Sequence, residues 1–333
     1  MNRRITAWRF VCRVLSPQVD ADKTPGLKNQ IESLERMWPE VFRFTDAHLV
    51  TPALRVALAH KRLIGHVPDE PLQYMASIYE MNALRNASLL LQLDEAIRAL
   101  NGCGIAPVLI KGAAYLKEGV FKDSAARIFT DLDVLIAESE IPLALKILGG
   151  LGYRPAEDGT DYARHRHVPP MFRPGDYGAI EVHRRCLRKD LEVVLGAGAV
   201  WEGLLNRKEN GLHYRLLSPT HTVLLSFLHS QVIDRLGETC TIGLRPIQDL
   251  LALDCVYGKL IDWNEIYLRL EGHPVHEHLR NYLFAAGRLA GFKARPKIRF
   301  SGSQWLHYGL SLARIGWPRI DGLAGRLSWY TVA

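Results

Sequence analysis

Val108-Leu-Ile-Lys-Gly112, Asp131-Leu-Asp133-Val-Leu-Ile136 and Ala179-Ile-Glu181-Val-His183 are the three pieces whose reading decides the fold of this chain. The first is a buried-type apolar run that stops at Lys111-Gly112, and the other two are apolar strands interrupted by acids. Side chains alternate faces along a strand. Asp131 and Asp133 therefore share a face, and Leu132, Val134 and Ile136 turn to the core. Glu181 and His183 share a face in the same way, with Ile180 and Val182 opposite. Two neighbouring strands of this kind put three carboxylates on one side of a sheet. Like charges crowded at a low-dielectric surface repel unless a cation sits among them. Asp131, Asp133 and Glu181 are thus expected to converge on Mg²⁺ or Mn²⁺, which take oxygen ligands and bridge substrate phosphates. Asp-x-Asp alone is a common, weak motif and more often a solvated strand end. Its place after Lys111-Gly112 adds weight, because a Gly opening a helix lets backbone N–H groups approach a phosphate. Lys111 or Arg127 then supplies positive charge. The plainer alternatives are a surface lysine, and an Arg127 ion pair with Asp131 or Asp133.

Outward from this stretch, the pattern predicts a strand over 106–110, a helix over 112–121 and a strand over 131–137. A helix over 139–151 follows, with Ser139 as its cap, then an extended piece over 152–155. Strands over 162–172 and 179–183 flank the turn sequence Arg173-Pro-Gly-Asp176. This order predicts an α+β fold, a small mixed sheet flanked by N-terminal and C-terminal helical regions. In the N-terminal region, 27–42 has helical spacing, and Thr51-Pro52 opens a helix with Thr as N-cap and Pro first. A long helix over 71–100 stops at Asn101-Gly102. Ser218-Pro-Thr-His221 starts the C-terminal helices, over 223–232, 246–257, 263–270 and 275–290. An extended segment near 298–300 precedes a less regular tail. The expected division is 1–103, 104–215 and 216–333, with the chemistry in the middle part.

At 333 residues, 48% hydrophobic and 23% charged, the chain can bury a substantial core and is neither disordered nor collagenous. Its five cysteines are scattered without Cys-x-x-Cys, which argues against a disulfide framework and a structural zinc site. Arg9 and Arg13 break the apolar run near the N-terminus, so no signal peptide is expected. No apolar stretch reaches the ~18 residues that span a bilayer, so no integral membrane association and a cytoplasmic location are expected. The net charge of +7 concentrates from Arg280 onward, where nine Arg and Lys face Asp321 alone. That segment is a solvated basic face or an attraction for an anionic partner.

Leu109-Ile-Lys-Gly-Ala-Ala-Tyr115, Arg127-Ile-Phe-Thr-Asp131-Leu-Asp133-Val-Leu and Ile180-Glu-Val-His183 together resemble a bacterial family of uncharacterised nucleotidyltransferases. That family belongs to the polymerase-beta-like superfamily. Leu217-Ser-Pro219, Arg245-Pro-Ile-Gln-Asp249-Leu-Leu and Ile261-Asp-Trp263 resemble its C-terminal helical part, and the resemblance spans roughly 75–290. It implies a nucleotidyltransferase-type sheet and transfer of a nucleoside monophosphate from a nucleoside triphosphate, such as ATP, to an acceptor, with release of pyrophosphate. It implies that Asp131 and Asp133 bind metal and triphosphate, and that Glu181 completes the metal site near the acceptor hydroxyl. Lys111, Gly112 and Arg127 would bind the nucleotide. The superfamily's usual Gly-Ser is here Lys111-Gly112-Ala113, without the serine. A nucleotide-binding or regulatory module lacking transfer is therefore a second expectation. A toxin-like enzyme acting on RNA or protein is a third, suggested by the basic C-terminal segment. The acceptor (small molecule, RNA or protein) is not legible.

His165-Arg-His167 puts two imidazoles on one strand face without a clear third ligand, and an exposed or substrate-facing strand is expected, with His183 and His167 as the candidates to face substrate. His221 and His229 read as partly buried helix residues. Arg184, Arg185, Arg188 and Lys189 read as a solvated loop or an anion contact. Asp249 reads as a cap or a cleft residue. Cys186 and Cys255 have no base within sequence reach.

Overall fold

The structure is a computed structural model that describes residues 2–17, 26–34, 36–156, 162, 165–293 and 299–317. Helices α1 (Arg3–Leu15), α2 (Gly26–Ser33), α3 (Trp38–Ala47), α4 (Thr51–His60) and α5 (Asp69–Gly102) precede the sheet. Then follow β1 (Val108–Leu109), α6 (Lys111–Lys117), β2 (Asp131–Leu135), α7 (Ile141–Gly150), β3 (Arg154–Pro155), β4 (Met171–Phe172) and β5 (Ala179–His183). After α8 (Ala197–Glu202), β6 (Leu205–Glu209) and β7 (Leu212–Leu216) complete the strands. Helices α9 (Pro219–Leu228), α10 (Leu244–Tyr257), α11 (Trp263–Leu270), α12 (Val275–Ala290) and α13 (Gly302–Gly316) close the described chain.

The seven strands form one mixed sheet in the order β3-β4-β5-β2-β1-β7-β6. The acid-bearing strands β2 and β5 lie side by side and parallel, pairing Asp131 with Ala179, Asp133 with Glu181 and Leu135 with His183. Leu132, Val134, Ile180 and Val182 on the opposite face are buried, as the period-two pattern requires. One hydrophobic cluster runs from Ala7 in α1 to Phe292 after α12, so helices at both ends share a core with the sheet.

Helix α5 is 34 residues long and buries a stripe that contains Met75, Asn82, Asn86, Leu89, Gln92 and Leu93. Its amides bond to the backbone that leads into the acid strands. Asn82 Nδ2 donates to the carbonyls of Ala125 (2.7 Å) and Arg127 (3.1 Å). Asn86 Nδ2 donates to those of Ser124 (2.7 Å) and Arg127 (2.8 Å). Arg85 Nε donates to Phe129 O at 2.9 Å, and its Nη2 to Tyr177 O at 3.2 Å. Gln92 Nε2 donates to Gly178 O at 2.7 Å, just before β5. A Cβ on Gly178 would stand 2.6 Å from Leu89 Cδ2 and 3.2 Å from Thr130 O, so only glycine lets α5 come this close.

Several local expectations are corrected. The helix expected over 27–42 is two helices, α2 and α3, the second starting at Trp38-Pro39. Thr51 is the first residue of α4, not its cap, and its hydroxyl is spent on Thr45 and Asp46 of α3. Ser139 does not cap α7, which begins at Ile141-Pro142 after a short 3-10 turn. The helix expected over 112–121 ends at Lys117. Of the strand expected over 162–172, the described residues show β4 and a single bridge from His167 to His183. Residues 299–300 carry no strand, and the irregular tail expected from Ser301 begins as α13, closed by a Ser301–Gln304 capping box. Ser218 does cap α9, accepting from the His221 N–H.

The hairpin β6–β7 was not foreseen. Its turn, Asn210-Gly211, has positive φ at both residues (50° and 75°), as a two-residue type I′ turn requires. Of the basic C-terminal segment, Arg295, Lys297, Arg319 and Arg326 lie outside the described residues, as does Asp321. Among the described residues, no helix is long and apolar enough to cross a membrane.

Candidate active site

The strand register places Asp133 and Glu181 as cross-strand neighbours on one face of the sheet. Asp133 is 1% exposed, yet it is ionised by its neighbours. Lys111 Nζ donates to Asp133 Oδ1 at 2.6 Å, and His183 Nε2 lies 2.7 Å from the same oxygen. Burial alone would raise the Asp133 pKa, but the Lys111 charge and the His183 hydrogen bond hold it well below the usual carboxylate range. His183 is wholly buried, and its Nε2 also lies 3.4 Å from Glu181 Oε2. For Glu181 burial again pushes upward, but the His183 hydrogen bond together with the His183 and His167 charges outweighs it, so its pKa is lowered. Asp131 has the opposite balance. Burial and the Asp133 charge raise its pKa, and a hydrogen bond from Thr130 Oγ1 at 2.8 Å only partly compensates.

Ligand atoms of Asp133, Glu181 and His183 lie within 4.8 Å of one another, and among the described residues they form the only such group of three. Asp131, expected in the closest set, stands beside this group and not within it. Two carboxylates with an imidazole suit a hard or borderline divalent cation. With Nε2 donating to Asp133, His183 Nδ1 is a buried nitrogen without a partner among the described residues. The His167 ring packs on His183 at 5.2 Å between centroids, and burial lowers the His167 pKa. His167 Nδ1 lies 2.8 Å from Val168 O, which leaves Nε2 as the atom available to a ligand.

Lys111 is held with φ at 49°, a left-handed conformation costly for a residue with a Cβ, at the point where β1 turns into α6. Gly112 follows in the first turn of α6. A Cβ there would lie 3.3 Å from Phe129 Cδ1, so the glycine lets α6 pack on the loop before β2. Arg127 does not pair with Asp131 or Asp133. Its guanidinium makes a fork with Asp249 of α10, Nε to Oδ1 at 2.8 Å and Nη2 to Oδ2 at 3.0 Å, over the Phe129 ring. Both partners are buried, and Asp249 keeps the Arg127 pKa raised against the desolvation that opposes it.

These groups line one cavity of about 560 Å³, within the range of pockets that hold small ligands. The sheet face with Asp131, Asp133 and Glu181 forms one wall, and α9 with Ser226 and α10 with Arg245 and Asp249 form another. Arg166, His167 and His229 also line it. His165 packs on His167 without completing a metal set. His221 is buried against Glu265, and His229 bonds to Asp234. Arg185 and Arg188 pair with Glu192 and Asp190. Burial drives the Cys186 thiol up to about 12, which makes it a poor nucleophile.

Fold and cavity together define an α+β protein with a candidate cation site on one sheet face. A family model described as an uncharacterised nucleotidyltransferase matches residues 35–291, and the chain belongs to that family. The match begins well before residue 75, so α3, α4 and the start of α5 are part of the family's shared structure. No curated protein and no solved structure matches the chain.

Proposed function

We propose that this chain is a metal-dependent nucleotidyltransferase that moves a nucleoside monophosphate from a nucleoside triphosphate to an acceptor group and releases pyrophosphate. The observation that carries this reading is the in-register pairing of Asp133 with Glu181 on parallel strands inside a cavity of ligand size. Membership of the nucleotidyltransferase family supports it. Asp133 and Glu181 would hold Mg²⁺ or Mn²⁺, and Asp131, still repelled by its neighbours, is the carboxylate with most to gain from the added charge. Such an ion supplies activation of the attacking oxygen and neutralisation of the departing pyrophosphate.

The chain's own groups have roles that need no ion. His183 and Lys111 fix the Asp133 carboxylate in orientation and keep it ionised. His167 offers Nε2 toward the acceptor side of the cavity. Arg127, spent on Asp249, anchors α10 to the loop before β2 and acts on nucleotide through that wall. The test is incubation with labelled triphosphates, Mg²⁺ or Mn²⁺ and cell extract. Wild type is expected to label an acceptor, and the Asp131→Ala, Asp133→Ala double variant is not. Identical labelling by both would sink the proposal, and triphosphate binding without pyrophosphate release would favour a regulatory module.

A further inference from the structure

The charged side chains lining the cavity sort into pairs and remainders. Lys111 is paired with Asp133, Arg127 with Asp249, and Asp234 with His229. Among the described residues, two guanidinium groups are left without a carboxylate. Arg166 reaches only His229, Nη2 to Nε2 at 3.4 Å, and its Nε is buried with no hydrogen-bond partner among the described residues. Arg245, in the first turn of α10, is half-buried and makes no hydrogen bond or ion pair among the described residues. The two come from distant parts of the chain, one between β3 and β4 and one from the C-terminal helices, and meet around the same space as the acids.

We infer that Arg166 and Arg245 receive the anionic oxygens of the triphosphate in the same cavity that Asp133 and Glu181 line. This rests on the nucleotidyltransferase reading and deepens it. A guanidinium held partly out of water without an anion is costly. Its planar fork matches phosphate oxygens and gives charge-assisted bonds. Burial and the nearby Arg127 charge lower the Arg245 pKa against the opposing pull of Asp249, Asp131 and Asp234, and an anion bonded to the guanidinium would offset that desolvation. Lys111 and Arg127, the cations legible in sequence, already have carboxylates. Among the described residues lining the cavity, Arg166 and Arg245 are the guanidinium groups without a carboxylate partner.

Titration calorimetry on the full chain tests this, with Mg²⁺ present and inorganic tripolyphosphate, non-hydrolysable nucleoside triphosphate analogues and nucleoside monophosphates as probes. Arg166→Gln and Arg245→Gln are each expected to weaken tripolyphosphate and triphosphate binding by about tenfold or more, the worth of a charge-assisted bond. Monophosphate binding is expected to change less, so the gap between tri- and monophosphate narrows. Arg245→Lys is expected to recover part of the loss, and Mn²⁺ affinity measured by paramagnetic resonance is expected to stay unchanged in every variant. Triphosphate binding within twofold of wild type in both Gln variants overturns the inference and leaves the transferase reading standing. Equal loss of Mn²⁺ and phosphate binding, with no rescue by lysine, marks a folding role and also overturns it. A wild type that binds neither tripolyphosphate nor any triphosphate removes both readings. Absent labelling with intact, arginine-dependent triphosphate binding removes only the transferase step.

Discussion

Asp249→Ala leaves the Arg127 guanidinium buried with its fork empty. The two side chains are 6% and 9% exposed and meet at 2.8 and 3.0 Å, so water can replace little of the lost partner. Breaking one side of such a pair costs about 3–5 kcal/mol, a large share of the ~5–15 kcal/mol that hold a typical domain. Replacing both, as Arg127→Met with Asp249→Leu, removes the stranded charge, so the double variant is expected to lie closer to wild type than Asp249→Ala does. The cycle should therefore show a coupling near the top of the usual range, about 3 kcal/mol. Urea unfolding followed by circular dichroism, extrapolated linearly at constant slope, reads these differences. An Asp249→Ala loss below about 1 kcal/mol, or simple additivity in the cycle, would refute the view that this fork fastens α10 to the loop before β2.

Asp131→Asn and Asp133→Asn are expected to move stability in opposite directions at neutral pH in chelator. The Asp131 pKa is raised in the fold, so its stability contribution is full below the ordinary value of 3.8 and is lost as pH rises through the folded pKa; the Asn variant escapes that loss and melts higher than wild type. The Asp133 pKa is lowered, so its contribution is present above 3.8 and fades as pH falls toward the folded pKa; its Asn variant melts lower, and the deficit shrinks in acid. Melting curves from neutral to acidic pH check both, and shifts of the same sign would contradict the charge balance described. Gly178→Ala is expected to cost about 1–3 kcal/mol in the same urea assay, because the new Cβ meets Thr130 O as well as Leu89; an unchanged midpoint would show that α5 is free to retreat.

Much of this site was legible in the sequence because strand period is a strong signal. Asp133, Glu181 and His183 could be set on one face from alternation alone, and the structure brings them together. The ends of α11 and α12 followed from the same kind of pattern. What alternation cannot give is the partner of a charge. Arg127 could be seen to need an anion, but Asp249 lies 122 residues away and joins it only through the packing of α10. Asn82 and Asn86 did leave a trace, two amides on the apolar stripe of α5, which makes sense only once the carbonyls of 124–127 are known to lie beneath them. The hairpin β6–β7 was marked by Asn210-Gly211 and by alternating Leu212, Tyr214 and Leu216. It was overlooked because β6, mostly exposed at an edge of the sheet, carries little apolar signal of its own.

The fastening of two loops to one helix also bears on how the site behaves in thermal motion. The backbone before β2 and the backbone before β5 both hang from α5, through Asn82, Arg85 and Asn86 for the first and Arg85 and Gln92 for the second. A swing of that helix carries both loops in the same direction, so it displaces Asp133 and Glu181 together and largely cancels from the distance between them. The carboxylates thus work like the jaws of a caliper mounted on one bar, where the bar can tremble while the gap keeps its width.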